Sequence, residues 1–363
     1  MSTVPPAARA ERAFDASLVS PSIIDAIALP RLIRLRPNLI GMAFTLMKLL
    51  PARHMVDRAA AEGELPPGGL IAETTSGTFG LSLAMLANQR GYRLTLVSDP
   101  AIDPPLRRRL EQLGATVHMV TQPSPEGGYQ RPRLEALEKI LAGNPGSWCP
   151  RQYTNPHNPG AYAACAEQLR RAVGPVDCIV GTVGSGGSMS GLASHLRATG
   201  NDVRAVGVDT HGSVIFGLSD AGAGRLLRGL GNSLMPANVD HRAFDDVHWV
   251  SAAEGFHATR RLHREHALFM GPTSGAAFMV ADWYARRNPD ELVAVLLPDE
   301  GYRYQDTVYD DAWLEARGVR VDEVPAEPVP WEVPHDGPNV WSHVHWARRG
   351  FDEVMRPQPA EVG

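Results

Sequence analysis

The sequence has few of the features that mark several common classes of protein. Its three cysteines, Cys149, Cys165 and Cys178, cannot all pair and form no CxxC motif; we therefore expect a reduced, cytoplasmic protein without disulfides or structural zinc. No apolar run reaches the ~18 residues of a membrane span, and the N-terminal stretch lacks the apolar core of a signal peptide. The net charge of −5 and the lack of a basic patch argue against nucleic acid or an anionic membrane as partners.

Lysine is also scarce, because only Lys48 and Lys139 are lysines among the 35 basic residues. An arginine cannot form a Schiff base, whereas a desolvated lysine can. The other residues of 46–50 are all apolar, which predicts a lowered pKa and a nucleophilic amine for Lys48. Lys139 lies four residues after Glu135, as in an exposed helix. The structural alternative for Lys48 is a side chain at the edge of a core helix with its amine in water.

Short aliphatic runs alternate with amphipathic segments along most of the chain. The runs predict buried strands at 69–75, 92–99, 115–121, 177–184, 203–209 and 292–299. The segments between them predict helices at 80–91, 104–114, 131–143, 161–174, 190–200 and 251–268. This alternation predicts an α/β fold with mainly parallel sheets and helices on both faces, and the length of 363 residues suggests two domains.

Three loops combine glycine with hydroxyl side chains, and each precedes a predicted helix. The loop GTVGSGGSMSG (181–191) follows a strand and offers backbone amides to an anion at a helix N-terminus. It lacks the Gly-Lys-Ser/Thr ending of a nucleotide P-loop. The loops ETTSGTFG (73–80) and MGPTSGAAF (270–278) are similar in composition. Taken singly, the first is also compatible with a tight turn and the other two with ordinary helix N-caps.

Together these loops resemble those of the cysteine synthase/cystathionine β-synthase family of fold type II pyridoxal-phosphate enzymes. The resemblance rests on ETTSGTFG, GSGGSMSG, GPTSGAA and the late DEGYRYQDT, in that order. Weaker matches are RQYTNPHNPGAY, VGVDTHGS and RGLGNSLMP. The family-like sequence covers about residues 29–310.

The resemblance implies a pyridoxal 5′-phosphate cofactor and a role for each matching residue. Lys48 would be the catalytic lysine that carries the cofactor as an internal aldimine. The implied phosphate cradle is Gly184, Ser185, Gly186, Gly187 and Ser188. The implied substrate-carboxylate site is Thr75, Ser76, Gly77 and Gln152.

Three further positions receive a role from the same resemblance. Thr273 or Ser274 would face the pyridine nitrogen. Thr78 replaces the asparagine that bonds the phenolic oxygen of the cofactor. A loop that shifts when substrate binds would be formed by Gly229, Leu230 and Gly231.

The resemblance also implies two open, mainly parallel twisted sheets, as in the β subunit of tryptophan synthase, and a homodimer. We expect an N-terminal arm at 1–28 and a smaller mobile domain at 41–150. Residues 29–40 plus 151–318 would form the larger domain, and 319–363 a Pro-rich C-terminal extension.

The lysine motif of the family leaves two alignments open. The family has Ser-x-Lys followed by Asp or Asn and Arg, whereas residues 46–50 read Leu-Met-Lys-Leu-Leu. HMVDR would instead place Val56 at the lysine position and leave the protein without a Schiff base. We prefer Lys48, because the 15 residues from it to Gly63 accommodate a full helix.

The leading hypothesis is a pyridoxal-phosphate-dependent β-replacement, a transferase reaction, on an O-activated L-serine such as O-acetyl- or O-phosphoserine, through an aminoacrylate. Sulfide as the small nucleophile would give cysteine, and an amine would give a precursor of the diaminopropionate type, in specialised biosynthesis. The alternatives are a lyase, ammonia-lyase or epimerase acting on an amino acid, and an inactive binding protein of the same fold.

Two other classes of site find little support in the sequence. A dehydrogenase is disfavoured because no GxGxxG opens the sheet. The 13 histidines show no metal-ligand spacing, so we expect no metal. His54, near Lys48 in the chain, is a further candidate for the pocket.

Overall fold

The computed structural model describes residues 19–124, 128–220, 225–321 and 324–355. The strands are β1 (Arg31–Arg36), β2 (Leu39–Ala43), β3 (Leu70–Thr74), β4 (Arg93–Ser98), β5 (Thr116–Met119), β6 (Cys178–Thr182), β7 (Arg204–Thr210), β8 (Asp246–Val250), β9 (Val293–Leu297), β10 (Val329–Trp331) and β11 (Ser342–His345). The α-helices are α1 (Ile23–Ala26), α2 (Leu49–Ala61), α3 (Thr78–Arg90), α4 (Pro104–Gln112), α5 (Gln130–Gly143), α6 (Ala163–Val173), α7 (Gly187–Ala198), α8 (Ala252–His266), α9 (Pro272–Arg287), α10 (Asp311–Glu315) and α11 (Phe351–Met355).

The larger sheet has eight strands in the order β1-β2-β9-β6-β7-β8-β11-β10. Its central strands from β2 to β8 are parallel, and the antiparallel pairs β1–β2 and β8–β11 lie toward its two edges. Consecutive residues of β6 contribute to different cores: Ile179 belongs to a cluster with residues of α6 and α7, and Val180 to a cluster with residues of α8 and α9. Since side chains alternate along a strand, helices cover both faces of this sheet.

The smaller sheet consists of the parallel strands β3, β4 and β5. Ile71 of β3 belongs to a core cluster with residues of α2, α3 and α4, whereas the next residue, Ala72, packs with Leu137 of α5. This sheet therefore also has helices on both faces, and the α/β fold with two mainly parallel sheets is confirmed.

Local sequence signals explain where several helices begin. Ser251 caps α8: its hydroxyl accepts from the Glu254 amide, and the Glu254 carboxylate accepts from the Ser251 amide. This reciprocal capping box satisfies two amides that the helix leaves unpaired. Helix α9 begins at Pro272, where the missing amide hydrogen costs nothing and the fixed φ favours the helix.

The structure contains the six predicted strands and adds β1, β2, β8, β10 and β11 to them. Strand β2 pairs with β9 along its whole length, so residues 41–43 belong to the larger sheet, although the predicted boundary assigned them to the smaller domain. The predicted C-terminal extension supplies β10 and β11 to the same sheet, next to β8. Residues 1–18 of the predicted arm and 356–363 of the extension lie outside the described residues. None of the described helices is both long and apolar enough to cross a membrane.

Candidate active site

Lys48 lies directly before α2 and lines a cleft of about 510 Å³ between the two sheets. The neighbours Met47 and Leu49 are buried, and the Met47 amide donates to the Pro298 carbonyl at 2.8 Å. The Lys48 amine lies 3.3 Å from the Ser185 hydroxyl oxygen. Burial lowers the pKa of Lys48 to about 8, because desolvation disfavours the charged form. The amine is therefore a better nucleophile near neutral pH than an ordinary lysine.

The other candidates for the lysine position and the pocket lie elsewhere. Lys139 is exposed on α5, and Val56 is fully buried in the core cluster formed by α2, α3 and α4. His54 is half-buried on α2 and does not line the cleft. Of these residues and Lys48, only Lys48 brings an amine to the cleft.

The glycine-rich loop from Gly184 to Ser188 connects β6 to the 12-residue helix α7. Gly186 has a φ of +86°, and a Cβ there would lie 2.5 Å from the backbone nitrogen of Val239. A side chain at this position would be both strained and sterically blocked. The loop therefore requires glycine for its close approach to the backbone at 238–239. This path brings its amides to the N-terminus of α7, where the helix dipole favours an anion.

The loop from Thr75 to Gly77 lies between β3 and α3, on the side of the smaller sheet. The Gly77 amide donates to the Thr75 hydroxyl at 3.2 Å, and Gly77 is the N-cap residue of α3. This arrangement places hydroxyls and a helix N-terminus without a side-chain cap at the cleft. Such a combination suits a carboxylate.

Gln152 reaches the cleft from the segment that follows α5. Its backbone amide donates to the Glu73 carboxylate at 3.2 Å, and its backbone carbonyl accepts from the side-chain amides of Asn158 (2.7 Å) and Asn238 (3.0 Å). Burial raises the pKa of Glu73 to about 7. The backbone of Gln152 is thus fixed to β3, the strand that leads into the Thr75 loop.

The first turn of α9 forms a third wall. Thr273 lines the cleft, and Gly229 packs so closely on it that a Cβ at Gly229 would lie 2.8 Å from the Thr273 methyl group. The next residue, Ser274, is fully buried, and its hydroxyl has no hydrogen-bond partner within the described parts of the chain. A buried hydroxyl without a partner costs free energy, so a polar group that reached this atom from the neighbouring cleft would stabilise it.

Most of the residues predicted for the site come together in this cleft. Those that line it are Lys48, Thr75, Ser76, Gly77, Thr78, Gln152, Gly184, Ser185, Ser188, Gly229, Gly231 and Thr273, whereas Leu230 does not. Gly186, Gly187 and Ser274 are buried next to lining residues without lining the cleft themselves. Across the residues that the structure describes, no three His, Cys, Asp or Glu side chains come close enough together to hold a metal ion.

Sequence patterns did not indicate four arginines that line the cleft: Arg133, Arg228, Arg303 and Arg317. Arg303 donates to the Asp103 carboxylate at 2.7 Å and to the Ser76 carbonyl at 3.4 Å, which links the two sides of the cleft. Arg133 pairs with Asp99 at 2.9 Å. The motif DEGYRYQDT contains Arg303, but neither its residue type nor its spacing indicated a contact with the start of α4. Arg228 opens the motif RGLGNSLMP, but the sequence gave it no role in the cleft, and it offered no signal for Arg133 or Arg317.

Comparisons with known proteins show the family of this chain. A family described as "Pyridoxal-phosphate dependent enzyme" matches residues 47–299. The N-(2-amino-2-carboxyethyl)-L-glutamate synthase of Ralstonia nicotianae is 35% identical over 312 residues, which are 82% of this chain and 92% of that protein. A protein of the same name from Cupriavidus metallidurans is 34% identical over 322 residues, 84% of this chain and 94% of that protein.

Solved structures are similar in fold as well. An O-ureido-L-serine synthase has a TM-score of 0.73 and 26% identity, covering 82% of this chain and 99% of that one. A hydrogen sulfide-producing enzyme from Fusobacterium nucleatum has a TM-score of 0.71 and 26% identity, covering 79% of this chain and all of that one.

The cleft residues fit pyridoxal 5′-phosphate on structural grounds. Lys48 would offer an amine of lowered pKa to the aldehyde, and the loop at Gly186 would offer amides at a helix N-terminus to the phosphate. The Ser274 hydroxyl, buried next to Thr273 and unpartnered among the described residues, would be a partner for the pyridine nitrogen. With the family match over residues 47–299, this chain belongs to the pyridoxal-phosphate-dependent enzymes, as a cysteine synthase-like member that uses pyridoxal 5′-phosphate as its cofactor.

Proposed function

We propose that the protein catalyses β-replacement on an O-activated L-serine, with an amine as the nucleophile. The observation that carries this proposal is the Lys48 amine, which lies in the cleft 3.3 Å from the Ser185 hydroxyl. The two curated relatives described above are synthases of N-(2-amino-2-carboxyethyl)-L-glutamate, a product in which an amine nitrogen carries a serine-derived group. Their 34–35% identity favours an amine over sulfide.

The bound cofactor stabilises negative charge at the substrate Cα. The residues of the chain bind the substrate and move its protons. The neutral amine of Lys48 takes the α-proton and later returns it to Cα. The substrate carboxylate binds on the side of the cleft that the loop from Thr75 to Gly77 forms, and this contact orients the Cα–H bond toward Lys48. The residues that make this contact are Thr75, Ser76, Gly77 and Gln152.

The remaining predicted site residues would hold the cofactor in place. Thr78 would hydrogen-bond to its phenolic oxygen, and Thr273 or Ser274 to its pyridine nitrogen. The residues that would hold its phosphate are Gly184, Ser185, Gly186, Gly187 and Ser188.

We propose phosphate as the leaving group, because the cleft is rich in positive charge. Four arginines line it, against the carboxylates of Asp103 and Asp299, and we assign the phosphate to the two that are largely buried, Arg133 and Arg303. Burial raises the pKa of Asp299 to about 6, so this carboxyl carries less negative charge near neutral pH than an ordinary one. Arg133 is mostly buried, and its Nε has no partner within the described residues. A dianionic phosphate would gain more from these groups than a neutral acetyl ester.

The overall reaction then balances without an oxidant or reductant. The Cβ–O bond of O-phospho-L-serine breaks, and phosphate leaves with the bonding electron pair. The amine nitrogen forms a bond to Cβ and loses one proton, and Cα recovers the proton that Lys48 removed. The departing phosphate takes up the proton that the amine nitrogen loses, so the products are an N-(2-amino-2-carboxyethyl) amine and hydrogen phosphate.

Mass spectrometry of reaction products tests the proposal directly. The holoenzyme is incubated with O-phospho- or O-acetyl-L-serine and with L-glutamate, ammonia or sulfide. We expect an N-(2-amino-2-carboxyethyl) product together with one phosphate per turnover, and no product with the variant Lys48→Ala. Pyruvate and ammonia would instead identify a lyase, and D-serine derivatives an epimerase. No reaction with any pair would support the inactive binding protein.

Three further proposals concern the setting of the enzyme. We propose that it is a homodimer in the cytoplasm, with free thiols at Cys149, Cys165 and Cys178. We also propose that the part around the smaller sheet moves relative to the part around the larger sheet when substrate binds. Light scattering of the purified protein tests the dimer, and small-angle scattering with and without O-phospho-L-serine tests the movement.

A further inference from the structure

Two arginines at the cleft have no carboxylate partner among the described residues. Arg228 and Arg317 both line the cleft and are exposed. Within the same part of the chain, Arg133 pairs with Asp99 and Arg303 with Asp103. An anion that binds to Arg228 and Arg317 therefore does not have to break an existing ion pair.

The contacts of Arg228 hold its guanidinium near the cleft but leave its charge uncompensated. Its Nη1 donates to the carbonyl oxygen of Ala101 at 3.0 Å, a neutral acceptor on the opposite side of the cleft. Arg228 directly precedes Gly229, which packs on Thr273 at the first turn of α9. The guanidinium thus belongs to the loop that borders the first turn of this helix.

Arg317 is oriented by an aromatic ring. Its guanidinium carbon lies 4.0 Å from the centre of the Trp313 ring, and its Nη1 donates to the Trp313 carbonyl at 3.4 Å. Trp313 lies edge-on to Phe256, and both of these side chains line the cleft. Stacking on a ring restricts a guanidinium while leaving its outer N–H groups able to donate.

We propose that Arg228 and Arg317 bind the carboxylates of the incoming nucleophile and thereby select an amino dicarboxylic acid such as L-glutamate. This inference rests on the proposed function, because it requires an amine nucleophile. Guanidinium groups form bidentate hydrogen bonds with carboxylates, and two of them match two carboxylates. Arg133 and Arg303 are less available, because each already binds an aspartate.

The test separates binding of the nucleophile from the earlier chemistry. Arg228→Gln and Arg317→Gln are compared with Arg108→Gln, which removes an exposed arginine of α4 outside the cleft and so controls for net charge. For each protein we measure kcat and KM for L-glutamate and for sulfide, and the visible spectrum of the holoenzyme with O-phospho-L-serine alone. Arg228→Lys keeps the positive charge but lacks the planar guanidinium, so it tests whether the charge alone restores binding of L-glutamate.

We expect each cleft variant to raise the KM for L-glutamate about 10- to 100-fold, because charge-assisted hydrogen bonds are lost. The kcat, the KM for sulfide and the spectral response to O-phospho-L-serine should stay close to those of Arg108→Gln. Arg228→Lys should recover part of the affinity for L-glutamate.

Two results would overturn the inference. One is a KM for L-glutamate within about twofold of the control in both variants. The other is a parallel rise in the KM for sulfide, because the arginines would then shape the cleft rather than bind carboxylates. No spectral response in the wild type would instead contradict the proposed function itself.

Discussion

The Lys48 amine and the Ser185 hydroxyl lie 3.3 Å apart, although 137 residues separate them in the chain. This contact joins the start of α2 to the glycine-rich loop before α7. It places the amine that can form an imine next to the amides that can bind a phosphate. One small aldehyde with a phosphate group could therefore reach both.

Attachment of the cofactor should depend on pH in the way that the pKa of Lys48 dictates. Burial lowers this pKa to about 8, and only the neutral amine attacks an aldehyde. The rate of reconstitution of the apoprotein should rise about tenfold per pH unit below pH 8 and level off above it. Stopped-flow absorbance from about pH 6 to 10 measures this rate, with free lysine as the control. A rate that keeps rising to the top of this range would mean that the pKa of Lys48 is not lowered.

The phosphate loop should not tolerate a methyl group at Gly186. Gly186→Ala places a Cβ 2.5 Å from the Val239 nitrogen at a φ of +86°, and we expect a loss of more than about 2 kcal/mol in the free energy of unfolding together with weaker cofactor binding. The matched control is Gly200→Ala, because Gly200 has a φ of +87° with open space around it. Strain alone should cost this control about 1 kcal/mol. Urea denaturation and cofactor titration compare the two, and equal losses would argue against the steric contact.

Ser274→Ala should separate the stability of the apoprotein from its affinity for the cofactor. The Ser274 hydroxyl is buried and unpartnered among the described residues, so its removal should leave the apoprotein as stable as before or up to about 1 kcal/mol more stable. If the hydroxyl forms a hydrogen bond with the cofactor, the Kd of Ser274→Ala for pyridoxal 5′-phosphate should be about tenfold higher than that of the wild type. The control Thr259→Val removes a buried hydroxyl that donates to the Gly255 carbonyl at 2.7 Å and should cost about 1 kcal/mol of stability. An unchanged Kd in Ser274→Ala would contradict the role of this hydroxyl.

The C-terminal extension should contribute substantially to stability. Trp341 is 1% exposed; its amide donates to the Glu254 carboxylate at 2.7 Å, and its indole donates to His248 Nδ1 at 3.1 Å. Burial lowers the pKa of His248 to about 3, so this ring stays neutral and accepts the bond at physiological pH. We expect Trp341→Ala to lower the free energy of unfolding by about 3–5 kcal/mol.

The control for this variant is Trp331→Ala, at a half-buried position of the same extension. It should cost clearly less stability in urea denaturation, because less apolar surface returns to water. Similar losses in both variants would show that the burial and hydrogen bonds of Trp341 are not what anchors the extension.

The central strands β6, β7 and β9 and the main loops could be predicted from the sequence because their signals are local. Several predicted strands are short aliphatic runs that a parallel sheet buries on both sides, as the burial of all five residues of β6 and β9 illustrates. Strands that contain charged or polar residues gave weaker signals. In β1, Arg31, Arg34 and Arg36 interrupt the apolar residues, and the five residues of β8 include Asp246 and His248.

The loops of the site could be identified because parallel strands bring the loops after their carboxyl ends to one edge of a sheet. The arginines could not, because their place in the cleft depends on contacts between distant segments, such as that of Arg303 with Asp103. The sequence also could not show that the Ser274 hydroxyl lacks a hydrogen-bond partner among the described residues. That depends on which polar atoms the fold brings within hydrogen-bond distance.

The most direct measurement is chemical mapping of the cofactor attachment. The holoenzyme is reduced with borohydride, digested and analysed by mass spectrometry for the pyridoxyl group. We expect the label on the peptide that contains Lys48, and we expect it to be lost in Lys48→Ala. A label on Lys139, or no label on a protein that binds the cofactor, would contradict the assignment of Lys48 as the residue that holds pyridoxal 5′-phosphate.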